Sequence, residues 1–224
     1  MLGPCDALCV LDGCETEGST SFHKRPAMTA ICDYGAGNLR SVQNTLDALG
    51  VSYELVRDEE GLARASKIIL PGVGHFGQML RSLDELGIRE ILVRKIRAGV
   101  PFLGICLGMQ ALFEGSEEAP EQRGLAIFPG NVKRFDDSVR VPHMGWDQLT
   151  EVKPSKLLSG VSPEAYVYFA HSYYVPTVEQ AVATCTYSTT YTAVVELENI
   201  FGVQFHPEKS GPIGLTIMHN FMEL

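Results

Sequence analysis

Between residues 28 and 110, short apolar runs alternate with longer stretches whose apolar positions recur every three or four residues. TAICDY (29–34) has the pattern of a short buried strand, and GAGN (35–38) that of a turn. NLRSVQNTLDALG (38–50) then puts Leu39, Val42, Leu46 and Leu49 on one helical face and closes on Gly50. SYELV (52–56) and KIILPG (67–72) read as strands. FGQMLRSLDELG (76–87) and IREILVRKIRAG (88–99) read as helices, both ended by glycine. VPFLGIC (100–106) is a continuous apolar strand, with a helix predicted from Leu107. Apolar strands alternating with helices predict an α/β fold, a mainly parallel sheet flanked by helices on both faces.

Beyond about residue 124 the texture changes. LAIFPGNVKRF (125–135), YVYFAHSYYV (166–175), AVATCTY (181–187) and TAVVELENIFGVQFH (192–206) read as strands with few helices between them. IGLTIMHNFMEL (213–224) reads as a closing helix. The expectation is one α/β domain over 28–224 with a more antiparallel second half. Residues 1–27 show no period and end in HKRPA, which predicts a disordered N-terminal extension.

Composition narrows the function. The formal net charge of −9, without a dense Lys/Arg block, argues against nucleic acid or an anionic membrane as main partner. No apolar run approaches the ~20 residues of a membrane helix. Of six cysteines, Cys32, Cys106 and Cys185 sit in apolar or strand-like surroundings without regular spacing, which reads as reduced and cytoplasmic. Cys5, Cys9 and Cys14 crowd the N-terminus near His23, at spacings that fit no standard zinc pattern. Asp6 and Asp12, and the lack of a basic start, make this leader a poor signal peptide. No metal and no cofactor is expected.

Three stretches carry chemistry. In LGICLGMQ (103–110), Cys106 stands between Gly104 and Gly108 where a predicted strand meets a predicted helix. That is the setting of a nucleophile elbow, which would turn the thiol outward above the sheet edge and aim the Leu107 amide at an oxyanion. A helix N-terminus there would favour thiolate. A structural cysteine beside a tight turn is the plain alternative. GVQFHPEKSG (202–211) offers a base: His206 ends a strand, and Glu208 two residues on can hold its imidazole. A surface turn with a solvated glutamate is the alternative there. LPGVGHFG (70–77) runs a strand into P-G-x-G, whose backbone amides can serve an oxyanion or a substrate carboxylate. The G-K-[ST] of a phosphate-binding P-loop is absent.

In their order and spacing, PGVG, GICLGMQ and GVQFHPE resemble the class I (triad) glutamine amidotransferases. Within that family DYGAGNLRSV (33–42), VPHMGWDQL (141–149), FAHSYYV (169–175) and FHPEKSGPIGL (205–215) are similar to the glutaminase subunits of imidazole glycerol phosphate synthase, of histidine biosynthesis. The likeness runs from Met28 to the C-terminus. Residues 1–27 have no counterpart, and Asp147 and Ala170 stand where Asn and Val are usual. The resemblance implies a flavodoxin-like class I amidotransferase fold. It implies Cys106 as nucleophile, His206 as base and Glu208 as its orienter. It also implies oxyanion donors at Val73 and Leu107, and a glutamine pocket with Gly74, Gln110, Ser172 and Tyr173. Its partner would be a (β/α)8 cyclase subunit, met through the 35–38 turn with Asn38, and through Trp146 and Lys209. The rival readings are a glutaminase for anthranilate, aminodeoxychorismate or guanylate synthesis, a cysteine peptidase or thiol hydrolase, and a binding module with a decayed site.

Overall fold

The computed structural model describes residues 28–35 and 38–224. The predicted extension 1–27, with Cys5, Cys9, Cys14 and His23, lies outside the described residues, as does the middle of the GAGN turn.

The first half follows the predicted alternation. Strand β1 (Thr29–Cys32) leads to helix α1 (Leu39–Ala48), β2 (Tyr53–Val56), α2 (Glu59–Arg64) and β3 (Lys67–Gly72). Helices α3 (Phe76–Glu85) and α4 (Arg89–Arg97) precede β4 (Phe102–Cys106), and a single turn, α5 (Leu107–Gln110), follows it. Val42 and Leu46 of α1 are buried as their spacing predicts, while Leu39 and Leu49 are half-buried. The short α2 was not predicted. Six residues are too few for a period, and it is held by the Asp58 side chain accepting from the Gly61 N–H at 2.8 Å.

The second half contributes β5 (Gly115–Ser116), β6 (Asn131–Arg134), β7 (His143–Gln148), β8 (Tyr166–His171), β9 (Tyr173–Tyr174), β10 (Ala181–Thr186), β11 (Thr190–Leu197), β12 (Ile200–Val203) and the final helix α6 (Gly211–Met222). LAIF (125–128) is not a strand. Its amides bond back to Ala111, Leu112 and Phe113 instead, so the segment seals the chain just beyond α5. YVYFAHSYYV splits at Ser172, because β8 pairs with β7 whereas β9 pairs with β6. The strand β7 was not foreseen; Gly145 and the exposed Met144 and Trp146 break its apolar alternation.

The central sheet has seven strands in the order β10-β11-β12-β4-β3-β1-β2. From β12 to β2 every pairing is parallel, and β11 and β10 extend the β12 edge antiparallel. Both faces are covered. Phe76, Leu80, Leu83, Leu92 and Phe102 fill one side, and Leu46, Leu103, Phe169, Phe205 and Phe221 the other. The more antiparallel second half thus joins the same sheet and adds the two-stranded ribbon β7-β8 beside it.

The glycines around β4 are there for space. A Cβ at Gly108 would stand 1.9 Å from the Leu70 carbonyl oxygen, and one at Gly104 would stand 2.5 Å from the Gly108 oxygen. Gly72, on the neighbouring strand, would meet Leu107 at 2.6 Å. All three contacts involve backbone or a Cβ, which cannot rotate away. We therefore expect Gly108→Ala to cost about 3 kcal/mol or more in chemical denaturation, from backbone displacement in a packed core. Gly87→Ala, at a positive φ of 66° in open space, should cost only about 1 kcal/mol. Equal losses in the two variants would show that crowding at Gly108 is not what the position responds to.

Candidate active site

Register brings the first components together. Gly72, at the end of β3, pairs with Cys106, at the end of β4. Beyond that pair, β3 runs on into Val73 and Gly74 while β4 turns into α5. The turn is made at Cys106 itself, with φ 53° and ψ −107°, a conformation costly for any residue with a Cβ. The strain therefore sits on the cysteine, and its glycine neighbours only clear room for it.

Two sequence expectations need correction here. The thiol does not stand out above the sheet: Cys106 is buried and lines a cavity. The helix after it is one turn of four residues, too short for a macrodipole to count for much.

The cavity, of about 240 Å³, is lined by Val73, Gly74, Cys106, Leu107 and Gln110 on one side and by Ser172 and Tyr173 on the other. All the residues expected around an oxyanion and a substrate are thus gathered at one opening. Gly74 holds a positive φ of 98° with nothing crowding it. The Val73 backbone N–H acts on the hydroxyl of Tyr34, which is buried without a hydrogen-bond partner of proper geometry.

His206 lies behind the thiol. Its strand, β12, ends at Val203, three residues earlier than the sequence suggested, and the His206 amide donates to the Tyr168 carbonyl at 2.9 Å. Glu208 does not reach it along an extended chain. Pro207–Lys209 form a 3-10 turn that folds the carboxylate back, with Oε1 at 2.9 Å from His206 Nδ1. Both side chains are almost fully shielded from water. Burial alone would lower the His206 pKa. The hydrogen bonds and charges of Cys106 and Glu208 outweigh burial and push it up to about 10. A buried imidazolium held between a sulfur and a carboxylate can hand a proton to a leaving group on the thiol side.

Sequence reasoning missed two neighbours. Gln204 donates from Nε2 to Cys106 Sγ at 3.5 Å and accepts from Gln110 Nε2 at 3.1 Å, so it joins the thiol to the cavity wall. Its alternation with Val203 and Phe205 was visible, but not that its side chain points at residue 106. Glu118 brings a carboxylate to the cavity and accepts from the Phe76 N–H at 2.7 Å. The acidic pair in GSEEAP was the only hint.

Of the residues expected to meet a partner, Trp146 is exposed on β7, and its ring lies edge-on to Tyr168 at 6.1 Å. Lys209 Nζ stands 5.7 Å from the same Tyr168 ring. Asn38 stands at the start of α1, without a side-chain hydrogen bond to it, and α1 packs on the turn carrying Lys209. Among the described residues no cluster of His, Cys, Asp or Glu could hold a metal ion, and no helix is long and apolar enough to cross a membrane. Cys32, Cys106 and Cys185 are free thiols.

The family described as "Glutamine amidotransferase class-I" matches residues 30–224. The chain belongs to the class I glutamine amidotransferase family. Among the amidotransferases similar to it is "Imidazole glycerol phosphate synthase subunit HisH" of Desulfitobacterium hafniense strain Y51. It is 46% identical over 87% of this chain and 93% of its own length. A protein of the same name from Methanocaldococcus jannaschii is also 46% identical, over 88% of this chain and 100% of its own. A solved glutamine amidotransferase superposes with TM-score 0.70 at 21% identity, covering 87% of this chain and 97% of that one. The PurLQS structure from Thermotoga maritima gives TM-score 0.68 at 20% identity, over 88% and 98% of the two chains. These structures share the amidotransferase fold.

The raised His206 pKa has a testable sign. Because the folded-state value exceeds the ordinary 6.5, the contact stabilises the fold fully below about pH 6.5. That contribution is lost as the pH rises through about 10. Glu208→Gln should bring the His206 titration down, as read by NMR of the labelled ring. An unchanged titration would remove the carboxylate as a cause.

Proposed function

We propose that this chain is the glutaminase subunit of an imidazole glycerol phosphate synthase, with Cys106, His206 and Glu208 as its working groups. The observation that carries the reading is the strained, buried Cys106, backed by a His–Glu pair and opening into one small polar cavity. The names of its relatives, at 46% identity over nearly their whole length, supply the pathway.

Glutamine enters the cavity with its side-chain amide over Cys106. Its α-amino group has a carboxylate within reach at Glu118, and its polar backbone end has Gln110, Ser172 and Tyr173. The thiolate attacks the amide carbon and pushes the carbonyl electrons onto oxygen. The Leu107 backbone N–H holds that oxyanion, and the Val73 N–H joins it when its peptide turns from the Tyr34 hydroxyl toward the cavity. His206 gives its proton to the amide nitrogen, the C–N bond breaks, and ammonia leaves a glutamyl thioester on Cys106. Neutral His206 then takes a proton from water as the water attacks, and glutamate departs with the thiol restored. Glu208 keeps the imidazole oriented throughout.

Ammonia released to water would be lost to protonation and diffusion. The chain therefore works against a cyclase subunit, which adds the ammonia to a ribotide and yields imidazole glycerol phosphate and aminoimidazole carboxamide ribotide. Exposed Trp146 and Met144 on β7, with Lys209 over Tyr168, offer an apolar and cationic face for that contact. Reduced buried thiols fit a cytoplasmic setting.

With the cyclase subunit present, Cys106→Ala should abolish synthesis driven by glutamine and spare synthesis driven by added ammonium salts. Glutamine turnover near the wild-type rate would overturn the role of the thiol. Loss of the ammonium-driven reaction would overturn the view that Cys106 serves only to make ammonia.

A further inference from the structure

Behind the cavity wall runs a set of hydrogen bonds that the steps above do not use. Gln110 Nε2 donates to the Tyr173 carbonyl at 2.8 Å. His171 Nδ1 lies 2.8 Å from the same oxygen, and His171 Nε2 lies 3.3 Å from the Tyr191 hydroxyl. That hydroxyl is 3.2 Å from His143 Nδ1, and His143 Nε2 is 3.3 Å from Asp147 Oδ2. His143, His171 and Tyr191 are buried, while Asp147 reaches solvent at the edge of β7.

The protons in this chain can be counted. Burial pushes His171 down to about 3 and lowers His143 against the upward pull of Asp147, so both rings are neutral. A neutral imidazole carries one N–H. The Tyr173 carbonyl only accepts, so the His171 proton sits on Nδ1 and its Nε2 is an acceptor. The Asp147 carboxylate only accepts, so the His143 proton sits on Nε2 and its Nδ1 is an acceptor. The Tyr191 hydroxyl therefore faces two acceptors with one proton, and one buried ring nitrogen always lacks a donor. Tyr187, stacked on His143 at 4.0 Å, cannot supply it, because its hydroxyl donates to the Arg140 carbonyl at 2.8 Å. Cys185, whose thiol burial keeps protonated, faces Tyr191 and Asp147.

We propose that Tyr191 is a positioning residue for the glutamine pocket, its one hydroxyl proton divided between His171 and His143, with Asp147 setting the division by fixing the His143 tautomer. With the proton on the His171 side, the line from Tyr191 through His171 and the Tyr173 carbonyl to Gln110 is complete. With it on the His143 side, His171 Nε2 is an unmatched buried acceptor, and its hold on the pocket wall weakens. Asp147 acts on the pocket only through this chain.

The positioning role rests on reading the cavity as a glutamine site; the proton count does not. The test uses the full chain with labelled histidine rings, and for turnover its complex with the cyclase subunit, as wild type, Asp147→Ala and Tyr191→Phe. Nitrogen shifts should put the His143 proton on Nε2 in the wild type and on Nδ1 in Asp147→Ala, where the ring is free to donate to Tyr191. The same His143 tautomer in both proteins would overturn the proposal. Tyr191→Phe should raise the KM for glutamine roughly fivefold, the value of one lost buried hydrogen bond, with kcat changed less than about twofold. Asp147→Ala should leave KM unchanged or lower it. An unchanged KM in a folded Tyr191→Phe protein would overturn the positioning role. A wild type that turns over no glutamine would instead overturn the pocket assignment, and the tautomers alone would then decide the proton count.

Discussion

The Leu70 carbonyl oxygen occupies the space that a side chain at residue 108 would need, and the Gly108 carbonyl does the same to residue 104. This contact between the ends of β3 and β4 is the constraint on which the rest of the site depends. It brings the turn after β4 down onto β3, so the backbone has to reverse at Cys106. The reversal puts a positive φ on a residue with a Cβ, a strain that only surrounding packing can hold. Relax the contact and Cys106 could settle into an ordinary strand conformation, with its thiol turned away from the cavity.

Around that fixed point, polar groups come from distant parts of the chain. β12 lies beside β4, so the segment beyond it brings Gln204 to the sulfur and His206 behind it. The 3-10 turn at Pro207–Lys209 then returns Glu208 to the imidazole. The ordinary liability of buried charge is met here by mutual pairing. Desolvation opposes a charged His206, and two close partners reverse that opposition. The same 3-10 turn carries Lys209 outward, so the carboxylate that holds the His206 ring and a group on the exposed Trp146 face share three residues of backbone.

The ribbon β7-β8 has a different part. It is not in the main sheet, yet its inner face holds His143, Phe169 and His171 against Tyr191 of β11. Its outer face exposes Met144 and Trp146. One short ribbon is therefore apolar and exposed on one side and hydrogen-bonded to the cavity wall on the other.

Much of this was legible in the sequence. Apolar runs of strand length between helical periods determined the alternation of the first half, because the two periodicities differ physically. The glycines flanking Cys106, and the His-x-Glu after a strand, marked the two chemical stretches. What those glycines are for was not legible: spacing suggests a turn, whereas the reason is a close carbonyl, that of Leu70 on β3 for Gly108 and that of Gly108 for Gly104. The sequence likewise could not tell that LAIF seals a loop instead of pairing, or that YVYFAHSYYV divides at Ser172, since an apolar run pairs with whatever edge the fold presents. Nor could it join Gln204 to Cys106, or Tyr191 to His143 and His171. Local periodicity is written in residues a few positions apart. These contacts link positions 20 to 98 residues apart, and their distances and proton directions exist only once the sheet order has brought the strands together.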